Sequence, residues 1–224
     1  MTMSFQIAID GPAGAGKSTV AKAVAEKLGF LYVDTGAMYR AMGLFFLDQG
    51  TDTNEEEEIN RSVKQAEVSL QLQDGVQHVF LNGTDVTGRI RTEEAGMMAS
   101  RTSAYQAVRE KLVRTQKKIA ESQNVVMDGR DIGTVVLPEA QLKIFLTASV
   151  ETRARRRFLE LTEKGQNPDL EEIEKDIEQR DDQDRNRKIS PLRQAEDAVL
   201  LDSSDLNAAQ VTEKIVRMAE EKMQ

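Results

Sequence analysis

Residues 7–29 read IAIDGPAGAGKSTVAKAVAEKLG, a stretch with the features of a strand, a loop and a helix. An apolar run ends at Asp10, a glycine-rich loop follows, and from Ser18 onward the apolar residues recur at helical spacing. Four loop residues match the pattern G-x-x-x-x-G-K-S/T in full: Gly11, Gly16, Lys17 and Ser18. Because the loop lies between a predicted strand and a predicted helix, its backbone N–H groups and the helix dipole can face one oxyanion. We therefore predict a phosphate-binding loop rather than a flexible turn.

Three side chains suit the chemistry of a bound polyphosphate. The ammonium group of Lys17 can reach the outer phosphates, and the Ser18 hydroxyl can hold Mg²⁺. The apolar run at residues 124–128 ends at Asp128, where a carboxylate would support the same ion. A cap of the next turn is the alternative role for Asp128.

Short apolar runs alternate with helical patterns along the chain, which is typical of an α/β fold with a parallel sheet covered by helices. The predicted strands span residues 5–9, 30–34, 124–128, 142–146 and 198–202. Residues 65–82 instead alternate apolar and polar side chains around Asp74 and Gly75, which indicates an antiparallel hairpin inserted between the second and third core strands. Residues 164–190 are polar and poor in core residues, and they are a candidate mobile flap.

The composition excludes several classes of function. The 224-residue chain carries a formal net charge of −8, which argues against sequence-independent binding to nucleic acid. It contains no cysteine, so thiolate chemistry is excluded and a cytoplasmic location is expected. Its one histidine, His78, lies in a predicted strand, so catalysis by histidine is not expected. We expect no membrane partner, since no apolar stretch is long enough to span a bilayer and the first residues lack a signal-peptide pattern.

Three segments that contain arginine follow core elements: residues 34–40 (DTGAMYR), 128–134 (DGRDIGT) and 179–187 (QRDDQDRNR). The first turns at Gly36 and then begins a helix, with Thr35 at its entrance. The first two leave strands at their carboxyl ends, where ligands bind in open α/β sheets, and arginine forks suit phosphate. For each segment alone, a surface salt-bridge cluster is the more common explanation. Two of them beside a phosphate loop indicate a second anion site, and hence phosphoryl transfer that depends on positioning more than on a base.

Four segments in this order resemble the bacterial cytidylate kinases of the nucleoside monophosphate kinase family: IDGPAGAGKST, YVDTGAMYRA, MDGRDIGT and QRDDQDRNR. The resemblance runs along nearly the whole chain. It implies one P-loop kinase domain over residues 1–224, with a monophosphate-binding region at about 36–100 that includes the hairpin, and a mobile lid at about 154–188. It also implies Mg²⁺-dependent transfer of the γ-phosphoryl group of ATP to CMP or dCMP, and we expect a monomer.

The resemblance further implies roles for individual residues. Catalysis would rest on Lys17, Arg130 and Arg187. ATP would bind to Gly11, Pro12, Ala13, Gly14, Ala15, Gly16, Lys17, Ser18 and Thr19. The acceptor phosphate would contact Arg40, Arg130 and Arg187. The cytosine base would be read by Ser100, Arg109 and Asp131, the first two on one predicted helix at residues 93–112. The sugar would bind to Arg180 and Asp184.

Three further assignments need separate comment: the residue at position 35, the lid arginine and the metal ligands. Thr35 stands where serine is expected in some members of the family, and it keeps the hydroxyl of a CMP-binding position. A lid arginine would come from one of four neighbouring residues, among which the sequence does not choose: Arg153, Arg155, Arg156 and Arg157. Mg²⁺ would be held by Ser18, with Asp128 as a second candidate.

Two other functions are compatible with parts of the pattern. The chain could phosphorylate another small acceptor, such as UMP or an alcohol, although an alcohol needs a carboxylate base and fewer arginines. It could also be a nucleotide-gated binding protein without turnover, but then the repeated arginines of residues 179–187 would have no purpose.

Overall fold

The computed structural model describes residues 4–73 and 76–224. The described chain divides into two compact units. The first contains the residues up to Tyr32 together with Gln123–Gln224, and the second contains Val33–Ser122. No helix in these described ranges is both long and apolar enough to cross a membrane.

Strands and helices alternate along most of the chain. The strands are β1 (Gln6–Asp10), β2 (Leu31–Asp34), β3 (Val68–Gln73), β4 (Val76–Leu81), β5 (Thr84–Asp85), β6 (Val125–Gly129), β7 (Leu142–Thr147) and β8 (Val199–Asp202). The helices are α1 (Lys17–Leu28), α2 (Thr35–Gln49), α3 (Glu56–Ser62), α4 (Glu93–Thr102), α5 (Gln106–Ser122), α6 (Val150–Glu163), α7 (Leu170–Asn186) and α8 (Ala208–Met223). A short π-helix spans Ile132–Val136.

A five-stranded sheet in the order β2-β6-β1-β7-β8 organises the first unit. β1 pairs in parallel with β6 and with β7, and β7 pairs in parallel with β8. The register places Asp10 opposite Gly129, so the carboxyl ends of β1 and β6 lie side by side. The loop after β1 and the segment after β6 therefore begin at the same edge of the sheet. The predicted α/β class and all five predicted core strands are confirmed, with boundaries shifted by one residue.

The interior of the first unit is an apolar cluster formed by the sheet with α1 and α8. β1 supplies Ile7 and Ile9, which are fully buried, and α1 supplies Val24 at its helical spacing. α8 buries Ile215 and Ala219 on one face, as its periodicity predicts. Each fully buried aliphatic side chain of this kind contributes about 1.5–3 kcal/mol, so the cluster is what holds the carboxyl edge of the sheet in place.

The second unit contains a separate antiparallel sheet of β3, β4 and β5. Val68 pairs with Leu81 and Gln73 pairs with Val76, so the predicted hairpin is confirmed. Its turn, Asp74 and Gly75, lies outside the described residues. This unit includes the predicted monophosphate-binding region at about 36–100, whose role stays a prediction.

Two local predictions are wrong. The helix predicted over residues 93–112 is broken into α4 and α5, because the Thr102 and Ser103 hydroxyls donate back to the carbonyls of Met98 and Ser100. Such bonds compete with helix propagation. The turn predicted at Gly36 is also absent from this described segment. The Asp34 carboxylate accepts the Ala37 N–H at 2.9 Å, and this cap starts α2 before Gly36.

The polar stretch at residues 164–190 folds mainly as α7, which is capped at Asp169. The Asp169 carboxylate accepts the N–H groups of Glu171 and Glu172 at 2.8 and 3.1 Å. Only Ile177 and Asp181 of this helix are buried. The helix explains the polar composition, while the mobility of the segment stays a prediction.

Substitution of two helical glycines in the second unit can test how closely α2 and α4 pack. A Cβ on Gly43 of α2 would lie 2.8 Å from the Ala99 backbone nitrogen, whereas a Cβ on Gly96 of α4 would meet nothing within 4 Å. Gly43→Ala should therefore lower the free energy of unfolding by about 1–3 kcal/mol through overpacking. Gly96→Ala, the matched control, should raise it by about 0.5–1 kcal/mol. Urea unfolding measures both, and equal effects would contradict the close packing.

Candidate active site

The loop after β1 needs glycine for a steric reason at its first position. Gly11 has a φ of +152°, and a Cβ there would lie 1.9 Å from the carbonyl oxygen of Leu146 at the end of β7. No side chain fits in that space. The backbone of the loop therefore runs directly against the neighbouring strand, which fixes where the loop starts.

The end of the same loop is open. Gly16 precedes α1 with a φ of +84°, and a Cβ there would meet nothing within 4 Å. Among the described residues, no side chain caps the first turn of α1. The first N–H groups of this helix thus point toward a site where an anion is favoured by the helix dipole.

Lys17 is buried at the start of α1. Its side chain is 6% exposed, and its Nζ donates to the carbonyl oxygen of Pro12 at 2.7 Å. Desolvation, together with the positive charge of Arg130, lowers the pKa of Lys17 to about 7, although Asp128 opposes the shift. An anion that binds at the loop would restore the preference for the charged ammonium.

Asp128, next to the last residue of β6, connects two hydroxyl groups. Ser18 donates to its Oδ2 at 2.8 Å, and Tyr32 donates to its Oδ1 at 2.9 Å. A hydroxyl and a carboxylate are the oxygen donors that Mg²⁺ prefers, so these residues fit the ion that the sequence analysis assigns to Ser18 and Asp128. Sequence reasoning missed Tyr32, and the only signal for it was its position on β2, the strand that follows α1 along the chain.

Asp10 was also missed, and its carboxylate organises the backbone after β6. It accepts the N–H of Ile132 at 2.8 Å and the N–H of Gly133 at 2.7 Å. Burial raises the pKa of Asp10 to about 6, while these two N–H bonds act against the rise. The side chain therefore fixes the segment that follows Arg130 and Asp131.

The first unit brings four of the predicted acceptor residues into one charged cluster. Arg130 Nε donates to Asp184 Oδ2 at 2.7 Å. Arg187 lies with its guanidinium nitrogens 3.7 Å from Asp131 Oδ1 and 3.9 Å from Asp184 Oδ1. Arg180 lies on the same helix, α7, with an exposed side chain. The cluster alternates positive and negative groups, so each arginine faces a carboxylate that a phosphate can replace.

The remaining predicted acceptor residues lie in the second unit. Thr35 is the first residue of α2 and is buried, and Arg40 follows on the same helix, half-buried. Arg109, on α5, donates to the Ser103 carbonyl at 3.3 Å, and its guanidinium carbon lies 5.5 Å from the centre of the Tyr39 ring. Such a cation–π contact holds the side chain in place. Ser100 lies half-buried on α4.

The four candidate lid arginines on α6 differ in their surroundings. Arg153 is buried and pairs with Asp181. Arg156 donates to the carbonyl oxygens of Ser203 and Leu206. Arg157 pairs with Glu160 one turn away, and Arg155 is exposed.

Burial of Lys17 should make the stability of the fold depend on pH. Between the lowered pKa of about 7 and the ordinary value near 10.5, the unfolded chain holds a proton that the folded chain lacks. Burial of the Lys17 charge therefore lowers the free energy of unfolding most below pH 7, and this destabilisation decreases as the pH rises toward 10. Lys17→Met should raise the unfolding temperature by about 2–6 °C at pH 6, and by less at pH 9. Calorimetry measures both, with the exposed Lys22→Met as control; a gain independent of pH would contradict the burial cost.

Comparisons with known proteins point to one family. A family model described as cytidylate kinase matches residues 7–221. A cytidylate kinase from Thermotoga neapolitana is 48% identical over 222 residues, covering 99% of each chain. A cytidylate kinase from Desulfitobacterium hafniense is 49% identical over 224 residues, covering 100% of this chain and 96% of that one. The solved shikimate kinase from Bacteroides thetaiotaomicron, 16% identical, has a TM-score of 0.51 over 96% of this chain and 98% of that one, and so shares the fold. The chain belongs to the cytidylate kinase family.

Proposed function

We propose that this chain transfers the γ-phosphoryl group of ATP to CMP, and also to dCMP, giving ADP and CDP or dCDP. The observation that carries the proposal is the pair of cationic groups at one sheet edge. Lys17 follows β1, and the arginine cluster around Arg130 follows β6, whose last residue lies opposite the last residue of β1. Membership of the cytidylate kinase family supports the choice of CMP as acceptor.

The donor is ATP, held on the loop from Gly11 to Thr19. Its phosphates accept hydrogen bonds from the first N–H groups of α1, while Lys17 exchanges its bond to the Pro12 carbonyl for the outer phosphates. Ser18 and Asp128 would hold Mg²⁺. When bound there, Mg²⁺ would supply positive charge that offsets the charge of the donor phosphates.

The acceptor is a phosphate monoester, which is already anionic near neutral pH. An oxygen of CMP forms the new bond to the γ-phosphorus as the bond from that phosphorus to the β,γ-bridging oxygen breaks, and ADP leaves with the electron pair. The acceptor phosphate takes the place of a carboxylate partner at Arg130 and at Arg187, and we assign Arg40 of the second unit to the same phosphate. No base is required, because the attacking oxygen needs no deprotonation.

The nucleoside is recognised by polar groups of matching chemistry. We assign cytosine to Asp131, Ser100 and Arg109, and the sugar to Asp184 and Arg180. Thr35 supplies a further hydroxyl for CMP. We further propose that the enzyme acts as a monomer in the cytoplasm, without nucleic acid as a partner, in keeping with its net charge of −8.

One assay compares the proposal with its alternatives. ADP release is followed with CMP, dCMP, UMP, AMP and shikimate as acceptors, under identical ATP concentrations. The proposal requires the highest kcat/KM with CMP or dCMP. A preference for UMP or shikimate would make the chain a kinase of another acceptor, and ATP binding without any turnover would make it a binding protein.

Asp131 provides a test of base recognition. Cytosine carries an exocyclic amino donor where uracil has an acceptor, so a carboxylate favours cytosine. Asp131→Asn should narrow the ratio of kcat/KM for CMP over UMP by a factor that corresponds to about 1–3 kcal/mol. Because Asp131 also faces Arg187, a general loss of activity is expected to affect both acceptors equally, so only the ratio reports on the base. An unchanged ratio removes Asp131 from base recognition.

Arg187 provides a test of charge stabilisation during transfer. Its side chain is one-tenth exposed and lies between two carboxylates, so it is held in place before substrate binds. Arg187→Ala should lower kcat by about 10²–10³ and weaken CMP binding, because one preorganised donor is lost. The exposed Arg193→Ala is the control and should keep normal kinetics. If Arg187 took part only in a surface charge cluster, its loss would cost no more than about 1 kcal/mol of stability and leave kcat normal.

The same segment should act as a lid. We propose that residues 154–188 close over the bound nucleotides and exclude water from the γ-phosphoryl group. Hydrogen exchange across this segment should slow more with a bisubstrate analogue than with ATP alone. Exchange that is indifferent to both ligands would contradict closure.

A further inference from the structure

Arg153 connects three separate parts of the first unit. Its Nε donates to the carbonyl oxygen of Ala148 at 2.9 Å, just after β7. Its NH1 donates to the carbonyl oxygen of Ala13, in the middle of the phosphate-binding loop, at 3.0 Å. NH1 and NH2 also form a two-pronged pair with the Asp181 carboxylate of α7, at 3.1 and 2.7 Å. One guanidinium thus ties the ATP-binding loop to the helix that carries Arg180, Asp184 and Arg187.

The Arg153–Asp181 pair is deeply buried. The two side chains are 3% and 4% exposed. Removing two charges from water is costly, and well-packed apolar side chains often stabilise a fold as well as such a pair does. An apolar pair cannot orient one helix relative to another in the same way. The planar guanidinium of Arg153 fixes the rotation of α7 relative to the carbonyl groups that Arg153 also contacts.

The orientation of Asp181 on α7 also determines where this helix places Asp184 of the acceptor cluster. Residues three apart on a helix are neighbours on its surface, so Asp181 and Asp184 share one side of α7. Asp184 in turn accepts Arg130 at 2.7 Å and faces Arg187 at 3.9 Å. A continuous series of polar contacts therefore runs from the loop carbonyl of Ala13 through Arg153 and α7 to the arginines of the acceptor cluster.

We propose that Arg153 and Asp181 form a positioning pair that couples occupancy of the ATP loop to the affinity of the acceptor cluster. When ATP binds to the loop that includes Ala13, Arg153 transmits the occupancy of the loop to the face of α7 that presents Asp184. The pair acts through other residues and does not touch the reacting atoms. The inference rests on the proposed function, because it takes ATP and CMP as the two ligands.

The test is the coupling factor, defined as the ratio of the CMP dissociation constants without and with the non-hydrolysable analogue AMP-PNP. For the wild type we expect a factor of about 5 or more, within the range usual for coupled sites. In Arg153→Met/Asp181→Leu, an apolar pair replaces the charges, which is often close to neutral, but the Ala13 and Ala148 carbonyls each lose a donor. The unfolding temperature should therefore fall, while a cooperative unfolding transition remains. The factor should fall to within about twofold of 1, while AMP-PNP alone still binds.

Two further variants make the result decisive. Arg153→Lys keeps the charge but loses the fork, so it should show an intermediate factor even if the double variant fails to fold. Lys27→Gln/Glu213→Gln removes another ion pair of the same unit, between α1 and α8, and should keep the wild-type factor. A coupling factor of 1 in the wild type would overturn the proposal. The full wild-type factor in Arg153→Met/Asp181→Leu or in Arg153→Lys would also overturn it. Wild-type turnover of CMP with ATP, measured alongside, tests the proposed function separately.

Discussion

The candidate active site is organised around one amino group, that of Lys17, which is buried at the start of α1. Lys17 is 6% exposed, and the cluster around it contains Asp10, Asp128 and Arg130. The sheet register imposes this arrangement, because the ends of β1 and β6 lie side by side and each leads into a charged segment. In such surroundings the electrostatic interactions with a bound phosphate are stronger than in water. The pKa of Lys17, lowered to about 7, reflects the folding free energy that is lost when the charged side chain is buried at this site.

Three carboxylates organise the site in the absence of substrate. Asp10 fixes the backbone after Asp131, Asp128 connects Ser18 with Tyr32, and Asp184 holds Arg130. Each of these interactions is made before a ligand binds. Groups that are oriented in advance need little reorganisation when charge moves from donor to acceptor, which is the main way in which an enzyme accelerates phosphoryl transfer.

Much of this could be predicted from the sequence where local chemistry decides the structure. The loop from Gly11 to Ser18, the five core strands and the hairpin each follow from a pattern within a few residues. The role of Asp10 could not be predicted in this way, because its partners Ile132 and Gly133 lie more than 120 residues further along the chain. The break between α4 and α5 was missed for another reason: hydroxyl groups compete with the helix backbone, and hydrophobic periodicity carries no sign of that competition.

The lowered pKa of Lys17 in the free protein can be tested by the number of protons taken up when Mg-ATP binds without an acceptor. It is measured by calorimetric titration in buffers of different ionisation enthalpy. If the pKa of Lys17 is about 7 in the free protein and phosphate restores its charge, binding at pH 8 takes up about nine-tenths of a proton, and at pH 6 only about one-tenth. No proton uptake at pH 8 would mean that Lys17 is already charged in the free protein, and it would contradict the account.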